Sequence, residues 1–211
     1  MRTVSITKNL VAAVTNGIAQ SQSLATAGTL TLNGTLVTGG VANLGSQRRV
    51  VITSAGNDAA RKATIVGTNG TNTARSEILT LGSAAAVVSV NDFLTVGTVS
   101  VDGTIASTVT VGTNGTGSTD WIMPNFHLTP FDVTIDTQVA SGVTYAVEGT
   151  LSNYWDAVPS PPTINIHTIA ASGSVAAETT LSTAITGYRY TITSGTGTLT
   201  AQSTQAGITN Y

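Results

Sequence analysis

The sequence contains no cysteine, and charged residues make up only 9% of its 211 positions. Without cysteine it can form neither disulfides nor thiolate ligands and nucleophiles. Aromatic residues make up 5% of the sequence, which is too few to line a large ligand pocket. No apolar run approaches the roughly 20 residues that a membrane-spanning helix needs. These absences remove disulfide-stapled scaffolds, thiol enzymes and membrane-spanning helices from consideration for this sequence.

The first 27 residues weakly imitate a signal peptide, with early positive charges, a short apolar stretch and small residues near Ala25 and Ala27. Thr15, Asn16 and Gly17 interrupt the apolar stretch that such a signal requires. We therefore expect no cleaved signal here.

Threonine is abundant, at about a fifth of the chain, and hydrophobic residues make up 41%. Threonine is β-branched and favours strands, whereas the frequent glycine and asparagine residues favour turns. Low charge with many β-branched apolar residues is the opposite of a disorder signature. We predict an all-β protein whose main domain is a β-sandwich of jelly-roll type.

Two Asn-Gly pairs indicate hairpins. Residues 29–37 place alternating arms on either side of Asn33-Gly34, a pair that tolerates the positive φ angles of a tight turn. Residues 62–81 place two strands around Asn69-Gly70. The hexapeptide Val-Gly-Thr-Asn-Gly-Thr occurs at 66–71 and again at 111–116, either as a trace of duplication or as convergent turn chemistry.

The segment Val-Pro-Ser-Pro-Pro at 158–162 is the strongest candidate for a domain boundary. Closely spaced prolines cannot lie inside a central strand and form a stiff connector. We therefore predict a main sandwich domain with an N-terminal arm over 1–157, a linker over 158–162 and a small C-terminal β-domain over 163–211. The last unit is too short to build a large core alone.

Charge is unevenly distributed along the chain. Residues 1–77 hold seven basic and two acidic residues, a net charge of +5, and residues 78–211 carry −7. One interpretation is a scattered, solvated surface. The other is that basic and acidic faces meet between neighbouring copies, which makes Arg48 and Arg49 candidate partner-interface residues. We expect no nucleic-acid binding, because the basic residues are few and no aromatic residues interleave with them.

The sequence predicts no catalytic residue, no cofactor and no metal site. No Gly-x-Ser-x-Gly elbow is present, and the two histidines lack ligand-like spacing. Asp132 and Asp136 share one face of a predicted strand, but about 13 Å would separate them at the usual rise per residue. That separation is too large for an acid–base pair or one shared metal.

One short segment, residues 119–133, concentrates aromatic residues around two prolines, Pro124 and Pro130. It contains Trp121, Phe126, His127 and Phe131. It is either a loop that tucks its rings over an open end of the sandwich or an anchor that buries into a partner, since aromatic residues dominate interface hot spots. We treat these four residues as candidate interface residues.

Four stretches resemble a group of phage and prophage virion proteins. They are VSITKNLVAAVTNGIAQSQS at 4–23, LTLNG at 30–34, QRRVVITSAGND at 47–58 and GYRYTITSGTGTLTAQSTQAG at 187–207. The resemblance implies a structural protein encoded among head and tail components. Capsid decoration (cement) proteins of this class are β-rich, often trimeric, and clamp neighbouring shell subunits. No catalytic residue carries over.

The leading hypothesis is therefore a capsid decoration protein that is made in the host bacterial cytoplasm and binds the major capsid protein and copies of itself. Alternatives are a head or tail fibre, a head–tail connector component, or a surface carbohydrate-binding adhesin that places residues 119–133 on a sugar. None of these hypotheses involves a membrane.

Overall fold

The computed structural model describes residues 2–125, 128–152 and 165–209. Every regular element in these ranges is a β-strand, and the described residues contain no helix. The prediction of an all-β protein is therefore confirmed. Across the same ranges, no helical segment has the length and apolar character needed to cross a bilayer.

Sixteen strands make up the described chain. In chain order they are β1 (Arg2–Leu10), β2 (Ala19–Gln22), β3 (Gly28–Thr29), β4 (Val37–Thr38), β5 (Val41–Ser54), β6 (Lys62–Thr68), β7 (Ala74–Thr80), β8 (Ala86–Val101), β9 (Val109–Thr113), β10 (Gly117–Ser118), β11 (Leu128–Val139), β12 (Thr144–Thr150), β13 (His167–Gly173), β14 (Ala177–Leu181), β15 (Gly187–Ser194) and β16 (Gly197–Thr209).

The chain divides into two compact units. The first, which we call the sandwich unit, comprises residues 2–11 together with the described residues from 116 onward. The second, the inserted unit, comprises residues 12–115. The inserted unit therefore interrupts the sandwich unit between β1 and β10.

The sandwich unit consists of two four-stranded antiparallel sheets, in the orders β1-β16-β11-β14 and β10-β15-β12-β13. Its eight strands pair in a nested way. The first pairs with the last (β1 with β16), and the next pairs inward are β10 with β15, β11 with β14 and β12 with β13. The ladders β11–β16 and β12–β15 join these pairs into the two sheets.

Both sheets contribute side chains to one core in the sandwich unit. Alternation along the strands turns Val133 and Ile135 of β11 inward, and it turns Tyr188, Tyr190 and Ile192 of β15 inward as well. The cluster is completed by Leu10, Ile122, Val143, Tyr145, Val147, Leu181, Ile185, Leu199 and Ala201. This face-to-face arrangement is that of a β-sandwich.

The inserted unit is an eight-stranded sheet whose main path runs β2-β9-β5-β8-β6-β7, with β3 and β4 added beside β8 and β5. The long strands β5 and β8 pair with register shifts between Asn43 and Arg48 and between Arg49 and Val51. Such bulges bend a strand and increase its twist. The single sheet can therefore bury one continuous core against itself, with Ile52, Ile65 and Phe93 among its fully buried members.

The start and end of the inserted unit lie side by side. The amide of Thr113 donates to the carbonyl oxygen of Val14 over 2.9 Å, and the amide of Val14 donates to the Thr113 hydroxyl over 3.0 Å. A Cβ added to Gly112 would lie 2.1 Å from the Val14 oxygen, so the two segments approach closely only because this residue is glycine. We call these two segments the neck of the insertion.

This division of the chain differs from the predicted one. The proline-rich segment 158–162 lies outside the described residues. The C-terminal strands after it belong to the same unit as the N-terminus, because β16 pairs along β1 from Arg2 to Leu10 and along β11. Partners this distant in sequence leave no local signal, which is why composition alone suggested a separate domain over 163–211.

The two Asn-Gly pairs have different outcomes. Asn69-Gly70 does connect paired strands. In the β6–β7 ladder, Lys62 lies opposite Thr80 at one end and Thr68 lies opposite Ala74 at the other. The hairpin predicted around Asn33-Gly34 is wrong, because β3 pairs with β8 and β4 pairs with β5. A Cβ on Gly34 would lie 2.1 Å from the Gly17 oxygen, so this glycine permits a close backbone approach.

Candidate interaction surface

Residues 119–125, the first half of the aromatic segment, are held firmly against the sandwich unit. The backbone amides of Thr119 and Ile122 donate to the backbone carbonyl oxygens of Tyr190 and Tyr188 over 2.8 and 2.7 Å. The side-chain amide of Gln205 accepts from the Asn125 amide and donates to its carbonyl, both over 2.7 Å. The backbone of this segment is therefore an added edge of the sandwich unit.

The aromatic candidates occupy structural positions where they are described. The ring of Trp121 lies under the guanidinium of Arg189, with 4.8 Å from the Arg189 Cζ to the ring centroid. Phe131 lies on β11 and packs against the sandwich core. These contacts favour structural roles for both residues over an exposed anchor. Phe126 and His127 lie outside the described residues.

Trp121 covers an ion pair on the outer face of the β10-β15-β12-β13 sheet. Arg189 Nε donates to Glu148 Oε2 over 2.8 Å, and the Thr191 hydroxyl donates to the same oxygen over 2.8 Å. The side chains of Arg189 and Glu148 are only 8% and 14% exposed. Because tyrosines 188 and 190 point into the core, Arg189 must point to the opposite face, where this pair compensates its burial.

Arg48 is buried rather than available to a partner. It is 1% exposed, and its guanidinium donates to the carbonyl oxygens of Ala12 and Asn114. Burial lowers the pKa of Arg48 below its usual value. Its two acceptors lie on the two segments of the neck, so Arg48 is a clamp at the base of the insertion. Arg49 is half-buried and lies opposite the buried Asp92 in the β5–β8 ladder.

The folded units do not reproduce the charge asymmetry of the sequence. The inserted unit holds five basic and four acidic residues, and the described part of the sandwich unit holds three basic and five acidic residues. Three basic residues, Lys8, Arg48 and Arg189, are buried. Lys8 Nζ donates to the Ser118 carbonyl over 2.9 Å, so this charge also serves an internal contact. The distribution gives no support to separate basic and acidic faces.

The outer surface of the inserted unit offers a different candidate. Direct pairing aligns β3, β8, β6 and β7 in a row through Thr29, Ser100, Thr64 and Ile78. The next row contains Thr98, Val66 and Ser76, and the following one contains Asn43, Thr95, Thr68 and Ala74. Val41 lies beside them, because its neighbour Ala42 points into the core. These twelve residues form what we call the uncharged face.

The uncharged face is solvent-accessible and carries exposed aliphatic groups. Val41, Val66 and Ile78 are 42%, 43% and 62% exposed. Hydroxyls surround them, and those of Thr68 and Thr95 lie 2.7 Å apart in a hydrogen bond across two strands. The nearest charged residue along β6 is Lys62, in the row beyond Thr64.

Strand spacing and rise give the uncharged face an area of about 400 Å², since each residue on one side of a sheet covers about 4.8 by 6.7 Å. Eight of its twelve residues are polar but uncharged, and the four apolar ones are Val41, Val66, Ala74 and Ile78. The sequence alone does not reveal this face. The alternation of Thr64, Val66 and Thr68 was a signal, but the rows appear only once the strand register is known.

A cavity of about 260 Å³ lies in the sandwich unit beside the end of β14. Its lining combines three hydroxyl side chains with three aliphatic ones, and none is charged. The lining residues are Ile169, Thr180, Leu181, Ser182, Thr183 and Ile185. Such a lining suits a small, neutral, hydroxylated ligand.

Within the described residues, no three acidic or histidine side chains come together as metal ligands do. Comparison with protein-family models, with curated proteins and with solved structures finds no match to this chain.

Proposed function

We propose that this chain is a structural component of a phage virion, and more narrowly a capsid decoration protein on the surface of the shell. The observation that carries the proposal is the nested pairing of the sandwich unit. Its eight strands pair first with last, second with seventh, third with sixth and fourth with fifth, and this nested order supports the assignment of the unit as a jelly roll. Jelly rolls recur in viral capsid proteins and in lectins.

Fold alone does not fix function, so the surface matters as well. The uncharged face extends over strands β3, β5, β6, β7 and β8 and contains no charged residue, and depletion of charge marks the centre of protein–protein interfaces. Its hydroxyls keep such a face hydrated before it is covered. A surface that lacks charge but carries hydroxyls suits a protein that packs against the capsid shell and against its own copies.

Deletion of the gene from the phage tests this proposal. A decoration protein stabilises the shell, so particles that lack it should release their DNA at lower temperature than wild-type particles. Addition of the purified chain to the deficient particles should restore the wild-type release temperature. Deficient particles with an unchanged release temperature would contradict a decoration role. A loss of adsorption with an intact shell would favour the fibre or connector alternative.

The cavity beside β14 favours one other function, carbohydrate binding by an adhesin, because the jelly roll is also a lectin fold. The hydroxyls of Thr180, Ser182 and Thr183 can donate and accept hydrogen bonds with a sugar. A glycan array measures this directly. Binding that is lost in Thr180→Val would establish the lectin alternative, and a blank array would count against it.

A further inference from the structure

We propose that the uncharged face is a homotypic interface, in which a second copy of this chain packs the same face against it. The inference concerns this surface alone and does not depend on a place in a virion. Two sheets stacked in this way lie about 10 Å apart and interdigitate their outward side chains. Such an interface has two-fold symmetry, so every residue meets the same set of residues on the partner.

The chemistry of the face selects a second copy as its occupant. A hydroxyl both donates and accepts, so a surface of threonine and serine can satisfy its own copy in a two-fold arrangement. Surfaces that carry only donors or only acceptors, such as arginine or aspartate patches, repel their own copies. The uncharged face carries both donors and acceptors, since its polar groups are hydroxyls and one side-chain amide, that of Asn43.

The exposed aliphatic groups give the face a reason to be covered. Val41, Val66 and Ile78 come from three strands, and pairing places Val66 between Thr98 and Ser76. Face-to-face packing removes these side chains from water without burying a charge. A charged partner surface would gain no matching group here and would lose hydration.

The size of the face sets the expected strength. About 400 Å² from each copy is below the roughly 800 Å² per partner of a standard stable interface. We therefore expect a weak dimer that forms with rising concentration and is reinforced where copies are held close together.

Cross-linking through an introduced cysteine is the sharpest test, because the chain has no cysteine of its own. Ile78→Cys and Val66→Cys place one thiol on the face, and Val175→Cys places one at a site of similar exposure, 70%, in the sandwich unit. Under mild oxidation, at least one face variant should form disulfide dimers at least tenfold faster than the control. Equal rates for all three variants would overturn the proposal.

Sedimentation of charge variants gives a second, independent readout. Val66→Lys and Ile78→Lys should weaken self-association of the full chain at least tenfold, whereas Val175→Lys should leave it within twofold. All three positions are exposed, so unchanged melting temperatures serve as the control for folding. A chain that is monomeric at every concentration, or a dimer indifferent to both face variants, would refute the homotypic interface.

Salt distinguishes this interface from one built on charge pairs. Self-association through an uncharged interface should be equally strong at about 0.05 and about 0.5 M salt. Contacts between opposite charges, in contrast, weaken over this range because salt screens them. Self-association that falls at least tenfold as salt rises would contradict the proposal and would restore the pairing of basic and acidic surfaces as its explanation.

Discussion

Glu148 and Arg189 lie directly opposite each other on β12 and β15 and form an ion pair of 2.8 Å on the outer face of their sheet. Both side chains are largely buried, and the Thr191 hydroxyl and the Trp121 ring complete their surroundings. Through the Trp121 ring, this charge pair also contacts the segment 119–125 that lies along the sheet. The contribution of each of these residues to the free energy of unfolding can therefore be measured by substitution.

Removal of one partner of this pair should be costly. Glu148→Ala leaves the guanidinium of Arg189 buried without its carboxylate, and we expect a loss of about 3 kcal/mol in the free energy of unfolding. Trp121→Ala removes the ring beside the Arg189 guanidinium, and loss of the cation–π interaction should itself cost about 1 kcal/mol. Urea unfolding followed by circular dichroism measures both values.

The double variant Glu148→Leu with Arg189→Met provides the control. Replacement of a whole buried pair by apolar side chains is often neutral, so this variant should be more stable than Glu148→Ala alone. If the three variants unfold at the same urea concentration as the wild type, the pair contributes nothing and the proposed role is wrong.

Arg48 should matter to the inserted unit through its two carbonyl acceptors. Arg48→Met keeps the aliphatic stem but leaves the oxygens of Ala12 and Asn114 without this donor, so we expect a loss of about 2 kcal/mol. Arg49→Met, at the adjacent half-buried position, should cost roughly 1 kcal/mol or less. Hydrogen exchange of amides in β9 should report the difference, and equal protection in the two variants would argue against a clamp.

Gly112 should tolerate no side chain, in contrast to the nearby Gly115. Alanine at 112 places its Cβ 2.1 Å from the Val14 oxygen, whereas a Cβ at 115 meets nothing within 4 Å. We expect Gly112→Ala to destabilise the protein by about 1–3 kcal/mol, as overpacking does, and Gly115→Ala to be near neutral. Thermal melting of the two variants tests this, and a neutral Gly112→Ala would show that the neck is looser than described.

The inserted unit should fold without the rest of the chain. It has its own core, and its ends already meet at Val14 and Thr113. Residues 12–115 expressed alone should therefore give a cooperative unfolding transition and a dispersed amide NMR spectrum. A collapsed, undispersed spectrum would mean that the insertion depends on the sandwich unit.

Local patterns in the sequence predicted strands well and long-range order poorly. Abundant threonine and other β-branched residues indicated an all-β protein, and Asn69-Gly70 indicated a hairpin, because composition and short turn motifs are visible in the sequence itself. The residues at Asn33-Gly34 carry the same signal, yet the glycine serves contact with Gly17, which lies on a separate stretch of chain. β8 runs from Ala86 to Val101 as one strand, although its pairing with β5 shifts register twice along the way.

The candidate site was hard to predict for a related reason. Arg48 and Arg189 read as surface charge, since nothing local reveals that carbonyl oxygens from the neck or a carboxylate from β12 will cover them. The uncharged face needs the register of β3, β8, β6 and β7 at once, and register follows from the core and the bulges rather than from any one strand.

The copy number of this chain in purified phage particles tests the central proposal most directly. Quantitative mass spectrometry should compare it with the major shell protein of the same particles. A decoration protein predicts a ratio near that of the shell protein, or a simple fraction of it set by lattice symmetry. A few copies per particle would place the chain in a fibre or connector, and its absence from particles would contradict a virion role altogether.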